Sequence, residues 1–202
     1  MRTQASLFED GTNEPGESLE AVNREILEKA RAAFPSKIFI FGAGPADAEV
    51  AVVGESPGPP DVLSGIPFNG PAGDLLRKIL ASISIDFEKT YRTNAVKFVS
   101  QGDEITPQVL AFFAPYLKRE MLAVNPRIVI TLGNTPTKAL LDTKQPISKV
   151  RGELAKFDGI TVMPTFNPAY LLRDPTKKRE VWQDMKKVIE FLKVTSPNDR
   201  SF

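Results

Sequence analysis

Three stretches of this 202-residue chain hold residue types that can do chemistry. The first, residues 54–73, sets two acids, Glu55 and Asp61, and an aromatic, Phe68, in a glycine- and proline-rich frame that lets backbone approach a ligand closely. The same frame also suits a rigid surface loop, and the residues alone leave both roles open. The second is Asn94, whose amide offers one acceptor and two donors to a ligand, or simply forms a turn. The third, residues 166–173, joins another amide, Asn167, to Pro168, Ala169, Tyr170, Leu171, Leu172 and Arg173. The chain contains no cysteine and no histidine, which excludes disulfides, thiolate metal sites, cysteine-ligated iron–sulfur clusters, imidazole bases and Ser-His-Asp triads. Any catalysis has to run on carboxylates, amides, hydroxyls and backbone dipoles, with no metal or other cofactor expected.

These residues need elements to position them. The chain is 42% hydrophobic and 25% charged, the composition of an ordinary soluble domain. Residues 1–15 are polar without apolar period and read as a disordered arm, leaving 16–202 as one domain. Apolar residues at helical spacing follow Ser18, an N-cap, and stop before Pro35. Strand-like runs occupy 48–53, 91–96, 127–132 and 159–164. Helices are expected after Gly70-Pro71, Thr106-Pro107 and Thr135-Pro136, and over 177–194. This alternation is that of an α/β protein with a mainly parallel sheet covered by helices on both faces, whose sites lie at the carboxyl ends of the strands. The strand-end loops, 54–73, 94–101, 133–136 and 165–173, should therefore converge. No apolar run is long enough to cross a bilayer and no signal peptide is evident, so the expected location is cytoplasmic. The net charge of +1 means that a nucleic-acid partner would need a local basic patch.

Four ordered motifs carry a resemblance. G-E-S-P-G at 54–58, G-I-P-F-N-G-P-A-G-D-L-L at 65–76, T-N-A-V-K at 93–97 and P-T-F-N-P-A-Y-L-L-R at 164–173 resemble the uracil-DNA glycosylase superfamily. They are most similar to family four, with its G-E-x-P-G-x-x-E-D-x-x-G-x-P-F-x-G-x-A-G, T-N-x-V-K-C and H-P-A-Y-L-L-R patterns, and Arg151-Gly152 is also in place. The resemblance implies a three-layer α/β/α sandwich around a central four-stranded parallel sheet. It also implies a monomeric, monofunctional base-excision-repair enzyme of the cytoplasm or nucleoid that hydrolyses the N-glycosidic bond of uracil flipped out of single- or double-stranded DNA, leaving an abasic site.

Residue by residue, the resemblance makes Phe68 the stacking face, Asn94 the reader of the uracil edge, and Glu55 and Asp61 the acids near the sugar. Ser56 becomes a water-orienting hydroxyl, and Gly58 stands where another branch blocks the thymine methyl. Asn167 replaces the motif histidine as donor to the departing base. Residues 168–173 are the wedge, with Tyr170 or Leu171 filling the gap left by the base and Leu172 in the core. Arg173, Lys177, Lys178 and Arg179, with Lys97 and Lys138, are the expected phosphate contacts because they flank this loop, whereas composition alone favours a solvated charged face.

The chain departs from the pattern at Asp61 and Val62, where the family has glutamate and aspartate, and at Asn167. Phe98 and Phe113 stand where cluster cysteines would be, and the amino-terminal pair of cysteines is missing, so an apolar plug is expected in place of the metal. Two alternatives remain at this level: a catalytically weakened member that binds DNA or a partner protein, and a glycosylase for another deaminated or 5-substituted base.

Overall fold

Four runs of apolar and β-branched residues make the centre of the structure, a computed structural model that describes residues 16–99 and 105–194. The arm expected over residues 1–15 and the far end of the 94–101 loop lie outside the described residues. The runs form β1 (Val50–Gly54), β2 (Tyr91–Asn94), β3 (Ile128–Leu132) and β5 (Ile160–Thr165), parallel to one another and buried at every position. Continuous burial is what a parallel sheet covered on both faces requires.

The sheet has five strands rather than the four expected, in the order β2-β1-β3-β5-β4. The addition, β4 (Ala155–Phe157), pairs antiparallel with β5 at the edge. Phe157 and Ile160 face each other across Asp158 and Gly159, both at positive φ (42° and 82°), as a two-residue hairpin demands. That Asp-Gly pair is the sequence signal for the extra strand.

Alternate strand residues go to alternate faces. Val50, Val52, Ile128, Ile130 and Met163 form one core with α3 (Pro71–Ala81) and α8 (Lys178–Val194). Ala51, Val53, Val129 and Val162 form another with α4 (Pro107–Val124) and α5 (Asn134–Leu141). Helix α1 (Leu19–Ala33) starts where Ser18 caps it, its hydroxyl accepting from the Ala21 amide at 3.2 Å. Three short helices were not expected: α2 (Pro59–Ser64), α6 (Ile147–Val150) and α7 (Pro168–Arg173). Among the described residues no helix is long and apolar enough to cross a membrane.

A third apolar cluster fastens α1 to the rest. Val22, Ile26 and Ala30 of α1 meet Phe98, just after β2, and Phe113 of α4. Phe98 and Phe113 lie 5.8 Å apart, centroid to centroid, and Phe34 lies 5.1 Å from Phe98 and 5.8 Å from Phe113. Phe112 packs edge-on to Phe113 at 4.9 Å. The aromatic plug expected at the two cysteine positions is thus in place, joining the loop after β2 to both α1 and α4. Removing the central ring should be costly: Phe113→Ala is expected to destabilise the fold by about 3–5 kcal/mol, read from the midpoint of urea unfolding.

Candidate active site

The parallel register brings the carboxyl ends of the four long strands to one edge of the sheet. Gly54 lies beside Asn94 and Leu132 beside Thr165. Pairing continues past the strand ends, with the Ala95 amide donating to the Gly54 carbonyl at 2.8 Å and the Val96 amide to the Glu55 carbonyl at 2.9 Å. Above this edge is a pocket of about 180 Å³, on the order of six water volumes. It brings together Glu55, Ser56, Gly58, Asp61, Phe68, Asn94, Asn167 and Ala169, eight of the residues singled out from sequence.

Asp61 builds the pocket wall. Its Oδ2 accepts from the Gly58 amide at 2.8 Å and its Oδ1 from the Asn69 amide at 2.7 Å. The first bond caps α2, whose opening Pro59-Pro60 presets helical φ. The second ties down the residue next to Phe68. Asp61, expected as a catalytic acid, lines the pocket with each of its oxygens accepting from a backbone amide.

Phe68 sits at φ 62°, the left-handed region that a bulky residue rarely enters. Such strain persists only where surroundings over-determine it. Here the Asp61 clamp holds one side, and on the other the Phe68 carbonyl occupies the place a Cβ would take at Gly73. The twist carries the ring over Gly54: a Cβ on Gly54 would lie 2.7 Å from Phe68 Cζ and would collide with Asn94 Oδ1. Ring and amide therefore converge on one glycine.

Asn94 is 3% exposed, yet among the described residues its side-chain amide has no hydrogen-bond partner and opens on the pocket. A nearly buried amide in this state is poised for a ligand. Its backbone is held from behind. Lys97 Nζ donates to the Asn94 carbonyl at 2.9 Å, to Thr93 Oγ1 at 2.6 Å and to Glu120 Oε2 at 2.6 Å, which uses all three ammonium hydrogens. The Tyr91 hydroxyl donates to Glu120 Oε1 at 2.8 Å. Burial pushes the Tyr91 phenol up and the Glu120 charge adds to it, so the hydroxyl stays a donor. Lys97, expected at a phosphate, is instead fully buried in an ion pair with Glu120.

Glu55 is solvent-facing and anchored by the Thr135 hydroxyl at the start of α5. The sequence marks Thr135 as a helix start, and its place on a strand-end loop is the signal for its role at Glu55. Asn167 caps α7, its Oδ1 accepting from the Ala169 amide at 2.8 Å. That fixes the amide the other way round, so Nδ2 presents donors, one of them engaged at 3.4 Å by the Leu132 carbonyl.

Residues 168–173 form a helix, and it turns Leu171 and Leu172 the opposite way from expectation. Pro168 and Leu171, three apart, turn inward, and Leu171 is 1% exposed in the core. Ala169 and Leu172 share the outer face, with Leu172 49% exposed. Tyr170 packs on Phe166 at 5.4 Å and donates to Asp174 at 3.2 Å, so it too is held back. Arg173, Lys178 and Arg179 are exposed, whereas Lys177 pairs with Glu180 at 2.8 Å.

Behind Asn167 lies a second buried network. Arg151 Nε donates to Asp184 at 3.1 Å, the Thr165 hydroxyl donates to the same carboxylate at 2.6 Å, and the guanidinium sits 5.4 Å from the Phe166 ring centroid. Burial pushes the Asp184 carboxyl up against the pull of Thr165 and Arg151. Gly152, at φ 73°, leaves the space that Asp184 Oδ1 fills.

The family model for the uracil DNA glycosylase superfamily matches residues 41–186. The chain belongs to that superfamily. It is similar to the type-4 uracil-DNA glycosylase of Thermotoga maritima, 35% identical over 159 residues that cover 76% of this chain and 83% of that one. The type-4 enzyme of Archaeoglobus fulgidus is 31% identical over 185 residues, covering 86% and 93%, and that of Saccharolobus solfataricus is 34% identical over 162 residues, covering 75% and 74%. The iron–sulfur cluster that the resemblance to family four brings with it does not fit this member. Two of the ligand positions are phenylalanines packed against each other and Phe34, with no thiolate in the chain. Among the described residues no group of three His, Cys, Asp or Glu side chains is placed to hold a metal ion.

The network behind Asn94 can be tested directly. Glu120→Ala strands a buried ammonium and should cost about 3–5 kcal/mol, whereas replacing the pair together, Lys97→Met with Glu120→Leu, should recover most of that loss in urea unfolding.

Proposed function

We propose that this chain is a monofunctional DNA glycosylase that hydrolyses the N-glycosidic bond of uracil extruded from DNA and leaves an abasic site. The observation that carries this is the unpartnered Asn94 amide, nearly buried beside the Phe68 ring in a pocket of about 180 Å³. An asparagine carbonyl accepts from uracil N3–H while its NH₂ donates to O4. Cytosine presents the opposite pattern at both atoms, leaving buried groups unpaired at about 1–3 kcal/mol each. The ring supplies a stacking face indifferent to base identity.

As the bond breaks, the sugar becomes cationic and the departing base anionic. Glu55, held by Thr135, is the carboxylate that faces the cation and orients the attacking water, with Ser56 beside it. Asp61 acts through the loop it folds. The Asn167 amide donates to the uracil O2 as negative charge collects there, the task a histidine has in the family pattern. A glycosylase that also cuts the strand needs an amine nucleophile, and no lysine lines the pocket; the nearby Lys97 is sealed by Glu120. DNA meets the protein along the outer face of α7, with Leu172 in the vacated stack and Arg173, Lys178 and Arg179 on phosphates. The protein works as a monomer on single- or double-stranded DNA in the cytoplasm or nucleoid.

One observation favours a second substrate class. A Cβ at Gly58 would meet nothing closer than 3.6 Å, so there is space for a substituent on the base.

The test is single-turnover base release from single-stranded, U:A and U:G oligonucleotides, with a chelator present. The wild type should release uracil on all three, Asn94→Ala and Asn167→Ala should each slow release about 10²–10³-fold, and Glu55→Gln about 10²–10⁴-fold. DNA binding without release on any substrate would sink the uracil reading and leave a DNA-binding member or an enzyme for a 5-substituted base.

A further inference from the structure

Among the described residues the most exposed large apolar side chain is Leu63, at 91%, and Ile66, three residues on, is 48% exposed. Both stand on the segment that forms the pocket wall. Leu63 is on α2 two residues beyond Asp61, and the chain then turns through Gly65 at φ 72° to Ile66. The unit is rigid. Ser64 Oγ lies 3.2 Å from the Pro60 carbonyl and 3.3 Å from that of Asp61, and it accepts from the Ile66 amide at 3.2 Å. Asp61 fastens the same turn to Gly58 and Asn69. The turn that carries these two apolar side chains is fixed by hydrogen bonds along its backbone.

The charges nearby name the partner. Residues 54–76 contain no lysine or arginine, and their ionisable groups are the acids Glu55, Asp61 and Asp74. The α7–α8 side of the mouth carries Arg173, Lys178 and Arg179. The cationic side chains at the α7–α8 side of the mouth suit phosphates, while the 54–76 segment itself brings apolar surface and carboxylates. The part of DNA that fits such a surface is the flat face of a base whose stacking neighbour has been removed.

We propose that Leu63 and Ile66 form a second apolar wedge, which packs against the base stack beside the extruded nucleotide while Leu172 enters from α7. The proposal rests on the glycosylase reading of the pocket for its location. It assigns to this pair the holding open of duplex DNA, and no part in the bond-breaking step.

The experiment uses the full chain and its Leu63→Ala and Ile66→Ala variants, whose outward side chains leave the fold intact, as circular-dichroism melting verifies. The probe is a duplex carrying a tetrahydrofuran abasic analogue next to 2-aminopurine, which brightens when unstacked. The wild type should raise the fluorescence. Each variant should lose most of that rise and bind the duplex about tenfold more weakly. Uracil release from the U:A duplex should slow by about the same factor, with single-stranded substrate changed less than twofold. Variants that bind and brighten the duplex like the wild type would overturn the wedge and assign the pair to a protein partner, and so would a wild type that brings no rise. A rise with the wild type but no uracil release would sink the glycosylase reading while leaving the wedge standing.

Discussion

A lysine ammonium buried beneath the sheet edge is the constraint on which the site depends. Taking such an ion out of water costs several kcal/mol, which only close, complete pairing offsets. Lys97 meets that condition in a single geometry: Glu120 from α4, Thr93 from β2 and the Asn94 carbonyl each take one hydrogen. Any rotation of the strand end that redirects Asn94 breaks one of these bonds in a low-dielectric setting, where an unmet charge is most expensive. The position of the Asn94 backbone, from which the amide opens on the pocket, is thereby a property of the core.

The same helix grips the loop a second time. Phe113 lies seven residues before Glu120, two turns back on the same face of α4, and meets Phe98 just as Glu120 meets Lys97. Packing in one place and charge in the other hold one short stretch after β2, and α1 closes over the packed end. Dispersion and area burial among Phe34, Phe98, Phe112 and Phe113 do by contact what a metal-bound loop does by coordination.

The pocket mouth is made by two short helices with one plan. Each opens with proline at its first turn and is fixed by a short polar side chain, Asp61 within α2 and Asn167 at the cap of α7. These are also positions where the chain departs from its family's pattern. Both side chains have backbone duties: Asp61 gives both oxygens to amides, while Asn167 gives its oxygen and keeps donors. The Asp61 clamp in turn sustains the left-handed backbone of Phe68, so the stacking ring is held by strain balanced against hydrogen bonds.

Much of this was legible in the residues. Uninterrupted apolar runs marked the four parallel strands to within two residues, and the topology of such sheets sent Glu55, Phe68, Asn94 and Asn167 to one edge. Phe98 and Phe113 already announced a packed substitute for a cluster. The edge strand at Ala155–Phe157 is too short for its period to show, and six-residue α7 is too short for its spacing to tell that Leu171 faces in and Leu172 out. Lys97 belongs at the surface by residue type, and only Glu120, 23 positions away, makes its burial tolerable. That Asp61 also accepts from two backbone amides is something no sequence pattern displays. Spacing along the chain settles which residues share an element and which strand ends meet; which polar groups are buried, and against what, is settled by contacts between elements that only the folded chain brings within hydrogen-bonding reach.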